Sequence, residues 1–231
     1  MEDGLKRRSI QLTINFESVQ NSPINIDNAR KALLQALIER SFKYDERPVF
    51  KLTSGKTSNY YINCKATTLN PSSMLLIGSL FYEKIRHLDV DAIGGLTHGA
   101  DPIAFATAMV SAMSEARGQR SEVGDQWSDL RVKPVQAFVI RKEAKSHGLM
   151  KVIEGNVSEG DKVVIVDDVV TTGGSTIQAI DRAREHKLEI VKVIALVDRQ
   201  EGGRENIEKK MVIFESLFTR DELIDAYKNK P

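Results

Sequence analysis

Apolar positions along this chain follow two rhythms. In ARKALLQALIER, Ala29, Leu33, Ala36, Leu37 and Arg40 fall at helical spacing, and Asp27 just ahead of them reads as the N-cap. Similar helical patterns over 71–87, 101–117, 174–187 and 219–228 predict further helices. The second rhythm is a set of short apolar runs: VFKL (49–52), YYINC (60–64), VDAIGG (90–95), VQAFVI (135–140), KVVIVDD (162–168) and IVKVIALVD (190–198). Near-continuous β-branched strands that alternate with helices must bury both faces. The expected fold class is therefore α/β, a mainly parallel sheet flanked by helices.

Two stretches follow neither rhythm. Residues 1–26 are polar and irregular, which predicts a loosely docked N-terminal arm ahead of a single domain over 27–231. GQRSEVGDQWSDLRVK (118–133) is charged and aperiodic, an expected exposed loop in which Trp127 would be a surface or oligomer contact. A chain of 231 residues with 41% hydrophobic content can bury one sizeable core. Its 33 Lys and Arg against 32 Asp and Glu leave no global field for nucleic acid or anionic membrane, so any anion must be held locally. Cys64 is the only cysteine, which excludes an intrachain disulfide framework and multi-cysteine zinc sites and suits a reducing cytoplasm. No run approaches the roughly 20 apolar residues of a membrane helix, and the first residues lack a signal-peptide core, so a soluble cytoplasmic protein is expected.

The chemistry concentrates in VVIVDDVVTTGGST, residues 163–176. A buried strand over 162–166 would leave Asp167 and Asp168 at its carboxyl end, the edge where open α/β sheets bind ligands. Adjacent carboxylates need hydroxyls, water or a cation to share their charge, and the vicinal diol of a sugar supplies two hydroxyls. The following Thr171-Thr172-Gly173-Gly174-Ser175-Thr176 opens a helix whose free N–H groups and dipole suit a phosphate. Acids for a diol beside donors for a phosphate describe a ribose 5-phosphate held at both ends. The SGKTS stretch (54–58) imitates the end of a Walker A loop, but Phe50 stands where that motif needs its first glycine.

The composite resembles the phosphoribosyl pyrophosphate signature of type I phosphoribosyltransferases. Further segments narrow the resemblance to the orotate phosphoribosyltransferases: VIRKEAKSHG (139–148), ALVDRQEGGREN (195–206) and FKLTSGKTSNYYIN (50–63). The resemblance implies that Arg141, Lys142, Lys145 and His147 belong to a loop, 141–151, that meets pyrophosphate. By the same likeness Asp167, Asp168, Val169, Val170, Thr171, Thr172, Gly173, Gly174 and Ser175 would line the donor site. Lys145, Asp167 and Asp168 would carry the catalysis, while Thr171, Arg199, Tyr60 and Tyr61 would contact orotate. The implied fold adds a small N-terminal hood, mainly from 27–70. The implied cofactor is Mg²⁺, carried by pyrophosphate and ribose hydroxyls and met by Asp167 and Asp168 through water. The implied assembly is a homodimer that shares the 141–151 loop. The implied reaction joins ribose 5-phosphate from phosphoribosyl pyrophosphate to orotate, giving orotidine 5′-phosphate and pyrophosphate for pyrimidine synthesis. Two positions depart from the pattern: Thr53 and His98 stand where many members carry lysine, with Lys56 near the first. A phosphoribosyltransferase for a purine, and a regulatory protein that only binds the donor, remain alternatives at this level.

Overall fold

The structure, a computed structural model, describes residues 25–51, 57–118, 134–142 and 152–230. The polar arm to residue 24, Thr53, Lys56, Trp127, Lys145 and His147 lie outside the described residues. The chain opens with α1 (Ile26–Arg40), followed by the short strands β1 (Phe42–Tyr44), β2 (Phe50–Lys51), β3 (Thr57–Ser58) and β4 (Tyr60–Ile62), and then helices α2 (Lys65–Thr68) and α3 (Pro71–Ile85). The regular alternation follows: β5 (Ala92–Leu96), α4 (Asp101–Gly118), β6 (Gln136–Ile140), β7 (Ile153–Gly155), β8 (Lys162–Val170), α5 (Gly174–Glu185), β9 (Glu189–Asp198), α6 (Gly203–Glu208), β10 (Phe214–Thr219) and α7 (Arg220–Lys228).

Six strands form one sheet in the order β10-β9-β8-β5-β6-β7, with every pair parallel except β6 and β7. Alternate residues of each strand serve opposite faces. Val164 and Val166 of β8 join one buried cluster with Ile194 of β9, Leu33 and Leu37 of α1, Phe81 of α3 and Ile103 of α4. Val163 and Ile165 join the other, with Ala179, Ile180 and Ala183 of α5 and Ile207 of α6. Helices α4 and α5 thus leave neighbouring strands toward opposite faces, and the order reverses between β5 and β8. That reversal opens a crevice beyond the carboxyl ends of those two strands, the usual ligand position in such sheets.

Beside that edge stand the small antiparallel pieces, β1 paired with β4 and β2 with β3. They are anchored by α1, by Tyr60 stacked on Phe42, and by Tyr227 of α7 edge-on to Phe42. Three expectations are corrected. The cap of α1 is Asn25, whose Oδ1 accepts from Asn28 N at 2.9 Å; Asp27 sits in the first turn, where its charge favours the helix dipole instead. Strand β8 does not end at the acids but runs on to Val170, because β9 continues to pair with it through Val169↔Val197 and Val170↔Asp198. The edge strands β7 and β10 were not anticipated: one has three residues, and FESLFT carries no continuous apolar run.

Candidate active site

Since β8 passes through the acid pair, Asp167 and Asp168 turn to opposite faces of the sheet. Asp167 turns toward α5, where Ser175 Oγ and Thr176 Oγ1 both donate to its Oδ2 at 2.8 Å, while Asp168 N donates to its Oδ1 at 3.0 Å. Asp168 turns the other way, toward the turn after β5 and toward α2, with Lys65 Nζ 3.8 Å from its Oδ2. A Cβ on Gly99 would lie 2.5 Å from Asp168 Oδ1 and 3.1 Å from Asp167 Oδ1, so only glycine lets that turn approach both acids. Both carboxylates are buried, at 6% and 5% exposure. Burial first, and the charge of Asp168 second, push the Asp167 carboxyl up to about 6, against the opposing pull of its hydroxyl and N–H donors.

The 171–176 turn follows directly. Gly173 adopts φ +83°, a left-handed conformation suited to glycine, and caps α5 without a side-chain bond. The first-turn N–H groups of α5 have no partner within the helix and face out at its positive end. From behind, α6 braces the turn: Asn206 Nδ2 donates to Thr172 O at 3.1 Å, and Gly203 packs so closely that a Cβ there would meet Val170 Cγ1 at 2.4 Å and Thr171 O at 2.7 Å. Val169 and Val170 direct their side chains into the two cores.

Arg199, just beyond β9, is held against Tyr60 of β4. Its Nε and Nη2 donate to the Tyr60 hydroxyl at 3.3 and 3.2 Å, its Cζ lies 5.0 Å from the ring centroid, and Nη2 meets Glu201 Oε1 at 3.0 Å. The Tyr60 hydroxyl in turn donates to Glu201. These contacts occupy one edge of the guanidinium and leave Nη1 facing Oγ1 of Thr171, the first residue of the 171–176 turn, at 3.5 Å. Tyr61 goes to the other side of β4, 43% exposed and stacked on Phe50. Arg141 Nε donates to Glu154 Oε1 at 2.6 Å, and the Lys142 carbonyl accepts from Arg182 of α5 at 2.5 Å, so the first residues after β6 are tied to β7 and α5.

A pocket of about 360 Å³ adjoins the Asp168 side, with Lys65, His98 and Asp101 as polar lining and Leu69, Met74 and Phe105 as apolar lining. His98 Nδ1 is 3.6 Å from Asp101 Oδ2, and burial raises the Asp101 carboxyl while His98 lowers it. Lys65, Glu201 and Gly99 were not singled out in the sequence, since only the folded chain brings them to the acids and to Arg199. Among the described residues no three His, Cys, Asp or Glu side chains form a metal-binding group. Two carboxylates alone suit a divalent cation that arrives with donor oxygens and waters, rather than one caged by protein.

A family model described as Phosphoribosyl transferase domain matches residues 68–226. The orotate phosphoribosyltransferase of Aquifex aeolicus is 44% identical over 195 residues, spanning 84% of this chain and 97% of that one. The chain belongs to the orotate phosphoribosyltransferases. A second orotate phosphoribosyltransferase, from Nostoc sp., is 39% identical over 222 residues, which cover 94% of this chain and 98% of that one. Among solved structures, the Mycobacterium tuberculosis H37Rv orotate phosphoribosyltransferase superposes with a TM-score of 0.67 at 31% identity, covering 84% of this chain and 98% of that one. Within the orotate phosphoribosyltransferases, then, the α/β sheet and its switch-point crevice are the shared frame on which these side chains stand.

Proposed function

We propose that the chain transfers ribose 5-phosphate from phosphoribosyl pyrophosphate to orotate, releasing pyrophosphate and forming orotidine 5′-phosphate. One observation carries the reading: the buried acid pair is flanked by the phosphate turn on one side and faced by Arg199, through Thr171, at the same turn. The donor's 5′-phosphate takes the N–H groups and hydroxyls of 171–176. Its ribose hydroxyls donate to Asp168 and to the remaining acceptor site on Asp167 Oδ1, whose other oxygen is already filled by Ser175 and Thr176. That double hold fixes C1′ in front of the base.

As the bond from C1′ to pyrophosphate lengthens, positive charge grows on the ribose ring and negative charge on the departing oxygens. The Asp167 and Asp168 carboxylates stabilise the first, in a site where burial strengthens their effect. When bound, Mg²⁺ supplies charge neutralisation at the diphosphate. Arg199 Nη1 and Thr171 donate to the planar acidic base and direct its nitrogen toward C1′, while Tyr60 and Glu201 hold the far edge of the guanidinium. By family likeness, Lys145 and His147, with Arg141 and Lys142, neutralise the leaving group. Residues 27–70 act as a hood over the base, ahead of the rest of one catalytic domain.

The working unit we propose is a homodimer. Phe105, Met109 and Met113 recur along one exposed face of α4, and Phe105 also lines the pocket beside the acids, so a copy docked on α4 would lie next to the active site. The activity is tested by supplying Mg²⁺, phosphoribosyl pyrophosphate and, in turn, orotate, uracil, hypoxanthine and adenine, and following loss of each base. Orotate should be consumed in preference to the other three. Consumption of a purine with orotate untouched would overturn the assignment.

A further inference from the structure

Lys65 stands on the short helix α2, just past the 50–63 segment, and its Nζ lies 3.8 Å from Asp168 Oδ2. Its side chain is 54% exposed, against 8% for Asp168, so the ammonium reaches in from the open pocket rather than being sealed with its partner. The same pocket is lined by His98 and Asp101 of the turn after β5, the turn in which His98 stands where many members carry lysine.

The arrangement around the acids is polar in sense. Asp167 faces the hydroxyls of Ser175 and Thr176, on the side of the phosphate turn; Asp168 faces Gly99 and Lys65, on the side of the pocket. A ribose anchored on both carboxylates, with its 5′-phosphate on the 171–176 turn, therefore directs its other end toward Lys65. The group at that end of the donor is a diphosphate. We propose that Lys65 is a substrate-contacting residue: it pairs with Asp168 in the free protein and donates to the diphosphate oxygens when the donor binds, supplying the positive charge that the Thr97–His98 turn lacks. This rests on the donor-site reading above. A lysine suits the exchange, because a flexible stem carries its charge from one oxygen partner to the next with little rearrangement. The pairing also keeps Asp168 compensated while no sugar is present, which limits the cost of two adjacent buried carboxylates.

The test measures calorimetric binding of phosphoribosyl pyrophosphate, of pyrophosphate and of ribose 5-phosphate, each with Mg²⁺, to the unaltered protein and to Lys65→Met and Lys65→Arg. Lys65→Met should weaken the first two ligands about tenfold, the worth of one charge-assisted contact at a half-open site, and leave ribose 5-phosphate within about twofold. Lys65→Arg should restore most of the loss. Unchanged binding of all three ligands to Lys65→Met would overturn the proposal, as would a loss for ribose 5-phosphate equal to that for the donor, which would place Lys65 among the supports of the acid pair. An unaltered protein that binds the donor but consumes no orotate would remove the base assignment and leave Lys65 in place; one that binds no donor would remove both.

Discussion

Asp167 combines burial with a task, and the two pull in opposite directions. Its carboxyl titrates near 6 in the folded chain and near the ordinary 3.8 when unfolded, because desolvation and Asp168 outweigh Ser175, Thr176 and the Asp168 N–H. Between those values the folded chain holds a proton that the unfolded chain has released, so stability is full below the lower value, falls as pH rises across the window, and stays reduced above it. A shift of this size corresponds to roughly 3 kcal/mol. Asp167→Asn keeps an acceptor for the two hydroxyls and removes the charge. Its melting temperature should exceed that of the unaltered protein by several degrees at about pH 7.5, with the gap closing near about pH 4, while donor binding is lost. Calorimetric melts at the two pH values check the sign; a variant that melts lower at the upper pH would mean that the carboxylate stabilises the fold. Arg199 shows the complementary case: its charge is met by Glu201, so its use to a ligand is directional, through the Nη1 side left open toward Thr171.

Short elements set the distances on which the site depends. Helix α6 spans six residues, yet its first residue, Gly203, presses on Val170 and Thr171, and Asn206 holds the Thr172 carbonyl. Gly203→Ala must push the 171–176 turn away from α6. The expected result is a loss of about 1–3 kcal/mol in stability and a larger rise in KM for the donor than for orotate, read by denaturant melts and by steady-state kinetics. Equal rises in the two KM values would mean that α6 supports the whole site rather than the phosphate turn. How legible such elements were follows from their length. Strands β5, β6, β8 and β9 and helices α3, α4, α5 and α7 announced themselves by apolar rhythm, and the acid pair with its Thr/Gly/Ser turn could be placed at one sheet edge because strand, acids and turn are contiguous. By contrast, α2 and α6 are too short to show a period, and β7 and β10 are edges whose pairing depends on β6 and β9. The extension of β8 to Val170 was hidden for the same reason, since its last pairs come from β9. Lys65 and Glu201 reach Asp168 and Arg199 only through tertiary placement, and no local pattern marks them.

At the scale of the molecule, the two apolar clusters account for the sheet's faces, but one face of α4 is left without a partner among the described residues. Phe105, Met109 and Met113 are 48%, 52% and 41% exposed at helical spacing, with Leu69 beside Phe105 in the pocket lining. Single exposed apolar residues are ordinary; several along one helix face, continuous with the pocket beside the acids, are the kind of surface that partner proteins cover. The cover we propose is a second copy of the chain, which would then lie beside the acid pair of its neighbour. Met109 lies at the centre of this face and touches none of the groups placed at the acids or at Arg199. Met109→Glu should therefore shift the sedimentation coefficient from dimer to monomer without altering the residues that bind substrate. If the loop is shared, activity should fall at least about tenfold with the dissociation, and rise again with protein concentration as the dimer reforms. A monomeric variant that keeps full activity would make each active site complete within one chain, and an unaltered protein that sediments as a monomer would leave the α4 face to a different partner.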